Sequence, residues 1–308
     1  MTSLRTIIWT LILSTVTFAG DKQFKLIYDS DFEARIASQI EIQDGGAMDI
    51  DVRGTLYIVD SGRHQLLQLG PDAKEVIAVG GFGQSQEEFD NPRDVATTTL
   101  DVFIADYNNN RISRFDKNLN ALSELRSNQA PPFDFERVLS LAVSSQLDLF
   151  ILEDGSKKIV KFDRFSSPSV TFGGIYETYG QLLDPRQLEL DNKSRLFVTD
   201  PAQSAVIVFD YLGNYLKTIE HPLFKQPTAL HWGMEKRLFV VDSESANIFL
   251  FDERLSFMQT FTVSATDQSL VDVASWRDPS TDTLHLFVLM SESCRRYELV
   301  SGGAKKTP

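Results

Sequence analysis

Six short apolar segments recur along the chain at a nearly fixed interval, and no other feature narrows its fold as much. They read LYIVD ending at Asp60, VFIAD at Asp106, LFILE at Glu153, LFVTD at Asp200, LFVVD at Asp242 and FVLMS at Ser291. Successive endpoints lie 46, 47, 47, 42 and 49 residues apart. Each segment is β-branched or aromatic along its length rather than alternating, as expected of a strand buried on both faces. Length alone suggests about two domains, but internal repetition on this scale overrides that expectation.

Six residues beyond each endpoint a second strand is under way: LLQL from Leu66, ISRF from Ile112, IVKF from Ile159, VIVF from Val206, IFLF from Ile248 and, less cleanly, YELV from Tyr297. A shorter strand precedes each buried one, as at Asp94–Thr97 and Gln187–Leu190. A weaker one follows, as at Ala121–Leu125 and Tyr215–Ile219. Four antiparallel strands per repeat make one blade of a β-propeller. Strand chemistry excludes a solenoid of helix pairs, and the period is too long for leucine-rich repeats. The sixth repeat supplies three strands before a Ser-Gly-Gly tail, while Gln23–Tyr28 forms a strand without a repeat of its own. Pairing the two would close the ring and remove its exposed edges. The expected fold is an all-β, six-bladed β-propeller spanning 20–300, followed by a flexible tail over 301–308.

The first nineteen residues fall outside the repeats. Met1–Arg5 carries one positive charge, Thr6–Phe18 is largely apolar, and Thr17 and Ala19 place small residues at positions −3 and −1 of a cleavage site. This is the pattern of a cleaved signal peptide, and the apolar run is too short to span a bilayer. The expectation is export to the periplasm or medium. The lone cysteine, Cys294, cannot form an internal disulfide, so stability must come from the core. With 30 basic against 43 acidic residues the chain carries a formal charge of −13, which argues against nucleic acid as a partner. A monomer without a membrane span is expected.

The second repeat, GGFGQSQEEFDNPRDVATTTLDVFIADYNNNRISRFD, and the start of the fourth, FGGIYETYGQLLDPRQLELDNKSRLFVTD, resemble the NHL-repeat propellers. Both have a glycine-rich leading loop, a proline step and a buried strand ending in Asp. Blade five keeps Pro227, blades one and three match in part, and blade six has drifted. The resemblance implies a six-bladed ring but leaves function open, because a fold hosts many activities. NHL propellers include protein- and RNA-binding modules, extracytoplasmic sensors and an amidating lyase, and related rings include calcium-dependent lactonases.

Two sets of residues are candidates for function. The turns after the buried strands and the loops leading into each blade gather on one rim, the usual binding face of a propeller. It would present Asp60, Arg63 and His64 from blade one, then Phe89, Arg93, Asp106, Tyr107, Asn108 and Arg111 from blade two. Tyr176 and Tyr179 would come from blade four and Asp242 from blade five. On a binding reading, Phe89, Tyr107, Tyr176 and Tyr179 are aromatic anchors. On a purely structural one, the aspartates accept backbone N–H groups in Asx-type turns, and the basic residues bridge neighbouring turns. Asp106, Asn108 and Asn110 occupy the first, third and fifth positions of an EF-hand template. Arg111 stands where that template needs a glycine for its sharp turn, and Lys117 where it needs a bidentate glutamate. Strands also flank the loop in place of helices, so a calcium reading fails.

The second set lies on the innermost strands. Aligned on Pro185 and Pro227, one column is apolar in every blade: Met48, Val95, Leu141, Leu188, Leu230 and Val273. The next column reads Asp49, Ala96, Ala142, Glu189, His231 and Ala274. Alternation turns the small or polar columns towards the channel, where six strands converge and alanine is expected. Asp49, Glu189 and His231 therefore depart from the pattern. A carboxylate beside an imidazole could bind a divalent cation or share a proton, whereas hydrated polar groups bonded to one another would be purely structural. One histidine with scattered carboxylates is too little for a dedicated metal cluster. Gly80–Gly83 and Gly173–Gly174 precede no helix, which excludes a phosphate cradle of the helix-terminus kind. The sequence thus favours a non-catalytic module, with neither catalytic nor metal-binding residues assigned, that binds a protein, peptide or glycan through its rim. The rival is a metal-dependent lactonase- or lyase-like enzyme working at the channel.

Overall fold

The computed structural model of the protein describes residues 23–127, 131–263 and 268–302. The expected signal peptide and residues 303–308 of the tail lie outside them. Six four-stranded antiparallel sheets form the blades of a propeller. In blade two, Pro92–Thr97 lines the channel, and Asp101–Asp106, Arg111–Asp116 and Ala121–Arg126 follow outward. The repeated apolar segments are the second strands, and all of Leu56–Asp60, Leu149–Glu153 and Leu196–Asp200 is buried. Continuous apolar runs arise here because each blade is covered by a neighbour on both faces.

Ring closure follows the sequence expectation. Blade six is built from Leu270–Arg277, Leu284–Met290 and Cys294–Ser301, and its fourth strand is the N-terminal Phe24–Asp29. The pairing runs from Phe24 opposite Ser301 to Asp29 opposite Arg296.

An eight-residue helix, Ser30–Ala37, follows that strand and was not expected from the repeat pattern. The Asp29 side chain caps it by accepting N–H bonds from Asp31 and Phe32, leaving the apolar pair Phe32 and Ile36 one turn apart on the inner side. Phe32 is fully buried against Phe287 of blade six, in a cluster that also holds Leu56, Ile58 and Leu67 of blade one. The helix thus covers the seam where the chain closes on itself. Arg296 fixes its start, pairing with Asp29 and lying over the Phe32 ring. Among the described residues no helix is long and apolar enough to cross a membrane.

Five innermost strands share one irregularity. Pairing with the second strand slips at Gly45/Ala47, Pro92/Asp94, Val138/Ser140, Pro227/Ala229 and Leu270/Asp272. A bulge leaves one residue unpaired and re-aims its side chain. Here that residue sits at the end of the channel on the rim side, called the upper mouth below.

Candidate functional site

The rim residues separate into two groups. Asp60, Phe89, Asp106, Arg111 and Asp242 are fully buried and cannot touch a partner, which corrects the expectation that all twelve would be presented. The aspartates act as turn organisers. Asp60 accepts N–H bonds from Gln43, Asp44, Gly62 and Arg63, and Asp242 accepts them from Lys225, Gln226 and Ser245. Each carboxylate ties the turn after its strand to the loop leading into the same blade.

Phe89 is not an anchor but a core residue, packed against Phe115 at a ring separation of 5.8 Å. The chain turns it inward at the end of its loop, where Phe89 N–H donates to the Gly81 carbonyl. Gly81 (φ +133°) and Gly80 (φ +119°) hold that approach in backbone regions that a side chain would strain.

Arg111 departs furthest from the sequence reading. Instead of forming an exposed ion pair, it is fully buried and all its donor positions are engaged. Nε donates to Asp106 Oδ2 at 2.8 Å. Nη1 donates to Gln84 O at 3.0 Å and Glu124 Oε2 at 2.9 Å, and Nη2 to Ser85 O at 2.8 Å and Glu88 O at 2.6 Å. The five donors of a guanidinium thus meet two carboxylates and three carbonyls of the loop leading into blade two.

The remaining rim residues are accessible. His64 and Arg63 are half-buried, with His64 Nδ1 accepting from Asn91 N–H and Arg63 paired to Glu41. Asn108 is exposed and bonds Asp90. Tyr107 donates its hydroxyl to Asp154, and its ring carries the guanidinium of Arg93 at 5.4 Å and that of Arg137 at 6.0 Å. Tyr176 and Tyr179 project from the loop before blade four at 92% and 76% exposure, and Phe82 from the loop before blade two at 73%. Phe82 escaped sequence reasoning, although its place between Gly81 and Gly83 in an otherwise polar loop was the available signal.

The channel is polar but internally bonded. An innermost strand has one free edge, and its N–H groups need partners. Side chains of the preceding blade supply them. Asp94 accepts from Leu141 N–H at 2.9 Å, Ser140 from Leu188 N–H at 2.8 Å, Gln187 from Leu230 N–H at 2.6 Å and Asp272 from Met48 N–H at 2.8 Å. Gln187 also donates to Asp272, bridging blades four and six. One residue pair lower, two of the three departures from alanine do the same work, and the third meets a side chain of the next blade. Asp49 accepts from Thr97 N–H at 2.6 Å and Glu189 from Trp232 N–H at 2.9 Å, while His231 Nε2 lies 3.1 Å from the Ser275 hydroxyl.

Asp49, Glu189 and His231 line one cavity of about 200 Å³, which opens at the lower mouth, away from the rim, between Val52, Met234 and Trp276. Burial pushes the Asp49 carboxyl up to about 6 and that of Asp94 up to about 7. Glu189 and Asp272 are raised well above the usual range, first by burial and then by neighbouring carboxylates, Asp49 for Glu189 and Asp94 for Asp272. Burial lowers His231 to about 4, leaving it neutral. Asp49 and Glu189 keep partial access to the cavity, whereas Asp94 and Asp272 are almost fully buried. Among the described residues no group of three or more His, Cys, Asp or Glu comes together in a way that could hold a metal ion. Cys294 is buried and its thiol is pushed up to about 12, far from a reactive thiolate.

Comparison with known proteins adds the following. The NHL repeat family matches residues 89–115, the core of blade two. No curated protein sequence matches significantly. Among solved structures, virginiamycin B lyase from Staphylococcus aureus is similar at a TM-score of 0.62 and 10% identity, covering 90% of this chain and 100% of that one. A luciferin-regenerating enzyme is similar at 0.63 and 12%, covering 92% and 98%. A chain of a nidogen–laminin complex is similar at 0.56 and 14%, covering 72% and 81%. At such identities the likeness concerns the fold alone. The chain is thus a six-bladed β-propeller, a closed ring of four-stranded blades, whose second blade matches the NHL repeat over residues 89–115.

Proposed function

We propose that the protein is a non-catalytic binding module that holds a protein, peptide or glycan on its upper face. The observation that carries this reading is the contrast between the two ends of the channel. The lower cavity contains ionisable groups, but each already bonds the next blade. The upper face holds Phe82, Tyr176 and Tyr179 exposed on short loops anchored to the ring. Loops organised in advance lose little entropy on binding, and exposed aromatic side chains are the usual energetic centres of an interface. The similar solved structures include enzymes and a nidogen–laminin complex, so they favour neither class.

The expected outcome is that Tyr176→Ala with Tyr179→Ala weakens capture of a partner by about tenfold or more. Both side chains lie outside the core, so the melting temperature should stay within about 1 °C of wild type. Undiminished affinity in this variant, together with loss in Met234→Ser at the lower mouth, would move the site to the other end of the channel.

The rival reading, a lactonase- or lyase-like enzyme using a divalent cation, rests on the shared cavity of Asp49, Glu189 and His231. It requires those groups to exchange inter-blade bonds for ligation, which disfavours it. We also propose export, on the leader pattern of residues 1–19. N-terminal sequencing of protein from the producing cell should begin at Gly20, and an intact Met1 on mature protein would exclude it.

A further inference from the structure

The bulges in the innermost strands determine what faces the upper mouth. The residue at that position in each blade is Gly46, Arg93, Leu139, Arg186, Thr228 or Val271, and together these line a cavity of about 270 Å³. Blade four, whose first strand is shortened to Leu188–Leu190, places Arg186 equivalently through an N–H bond to Thr199 O. Two guanidiniums therefore look onto one opening, with apolar Leu139 on the blade between them and Val271 from blade six.

Their charges are only partly answered by the protein. Arg186 meets Asp184 at 2.6 Å in an exposed pair, worth little in water. Arg93 is exposed and has no carboxylate partner among the described residues. It is held instead over the Tyr107 ring, which Arg137 shares. Asp154, beneath that ring, already takes Lys157 and the Tyr107 hydroxyl, and stands 4.0 Å from Arg137. The carboxyls of Asp94 and Asp272 on the floor accept backbone N–H bonds and are not free to pair upward. In a chain of net charge −13, this is a local cationic site with its geometry fixed in advance.

We propose that the upper mouth receives an Asp or Glu side chain of a peptide segment, clamped between Arg93 and Arg186. Guanidinium is suited to carboxylate because its planar fork donates two parallel hydrogen bonds. Leu139 and Val271 contact the apolar residues beside that carboxylate, and Tyr176, Tyr179 and Phe82 contact the segment farther out. This assignment rests on the upper-face binding reading and specifies its ligand.

The test is selection from a random heptapeptide phage library on immobilised protein, followed by affinity measurement on the winning synthetic peptide. Wild type should enrich peptides with Asp or Glu at one fixed position next to an apolar residue. Changing that acid to its amide, or the protein to Arg93→Gln/Arg186→Gln, should each cost about tenfold or more, and combining them should add little. Both arginines are exposed, so the variant should melt with wild type. Enriched peptides lacking an acidic position, or an affinity indifferent to the double variant, would overturn the carboxylate clamp while leaving the binding face in place. Failure to enrich any peptide would overturn the peptide assignment and leave the upper face to a folded protein or a glycan. Competition by millimolar free glutamate as strong as that of the peptide would overturn the peptide assignment in favour of a small carboxylate.

Discussion

Replacing Arg111 by alanine should destabilise the protein by about 3–5 kcal/mol, the usual result of removing one partner of a buried ion pair. For a chain of this size that corresponds to a fall of roughly 10 °C in melting temperature. The cause is what remains behind. Asp106 would be left fully buried without its cation, and the carbonyls of Gln84, Ser85 and Glu88 would lose their donors. Unsatisfied buried acceptors cost more than the original bonds contributed. Arg111→Lys keeps the charge but provides three donors on a compact head in place of a five-donor fork, and should recover less than half of the loss. Denaturant titration of wild type and both variants checks this. A loss below about 1 kcal/mol in Arg111→Ala would mean the network contributes little. Damage should begin locally, so proteolysis should cut first within residues 81–88, the loop that Arg111 holds.

This residue also shows where sequence reasoning stops. The six blades were legible because their evidence is repeated: a continuous apolar strand every 46 residues or so needs cover on both faces, and only neighbouring blades supply it. Closure was legible because three strands at one end and one at the other make four. Burial of Arg111 was not, since an arginine after a turn ordinarily reaches water. The faint signal was its position five residues after Asp106, which sets the two side chains opposite each other across the turn, as the pairing of Asp106 with Arg111 confirms. The helix Ser30–Ala37 was missed for a different reason. It occurs once, so repetition could not reveal it, although Asp29 with Phe32 and Ile36 supplies a cap and an apolar pair. The channel column was read correctly as a departure from alanine. Its purpose, bonding the free strand edge of the next blade, depends on a contact between residues about 45 positions apart that composition does not record.

The same inter-blade bonds make stability depend on pH in an unusual direction. Asp94 is raised from 3.8 to about 7 because its carboxyl is buried. Between those values the native protein holds a proton that the unfolded chain has released, so stability falls as pH rises through the window. The penalty is absent below 3.8 and complete above about 7, and for Asp94 alone it reaches about 4 kcal/mol. Asp272 acts in the same sense. His231 opposes them: lowered from 6.5 to about 4, it refuses a proton that the unfolded chain accepts, so its contribution is lost as pH falls through that range. Below 6.5 His231 offsets one of the raised carboxyls but not all of them, and above it the carboxylates act alone. Unfolding free energy should therefore increase on going from pH 8 to pH 6.5, and continue to increase towards pH 5 with its slope reduced by His231. Below about 4 it should fall again as carboxylates held low by their partners, such as Asp29 and Asp148, take up protons. His231→Gln should steepen the rise between pH 6.5 and pH 5. Asp94→Asn, which cannot ionise, should remove its share of the rise and leave that of Asp272 and Glu189, while costing stability through an altered bond to Leu141. Denaturant titrations at half-unit pH steps measure all three, and a wild-type curve flat between pH 6.5 and 8 would show that the channel carboxyls are already ionised in the native ring.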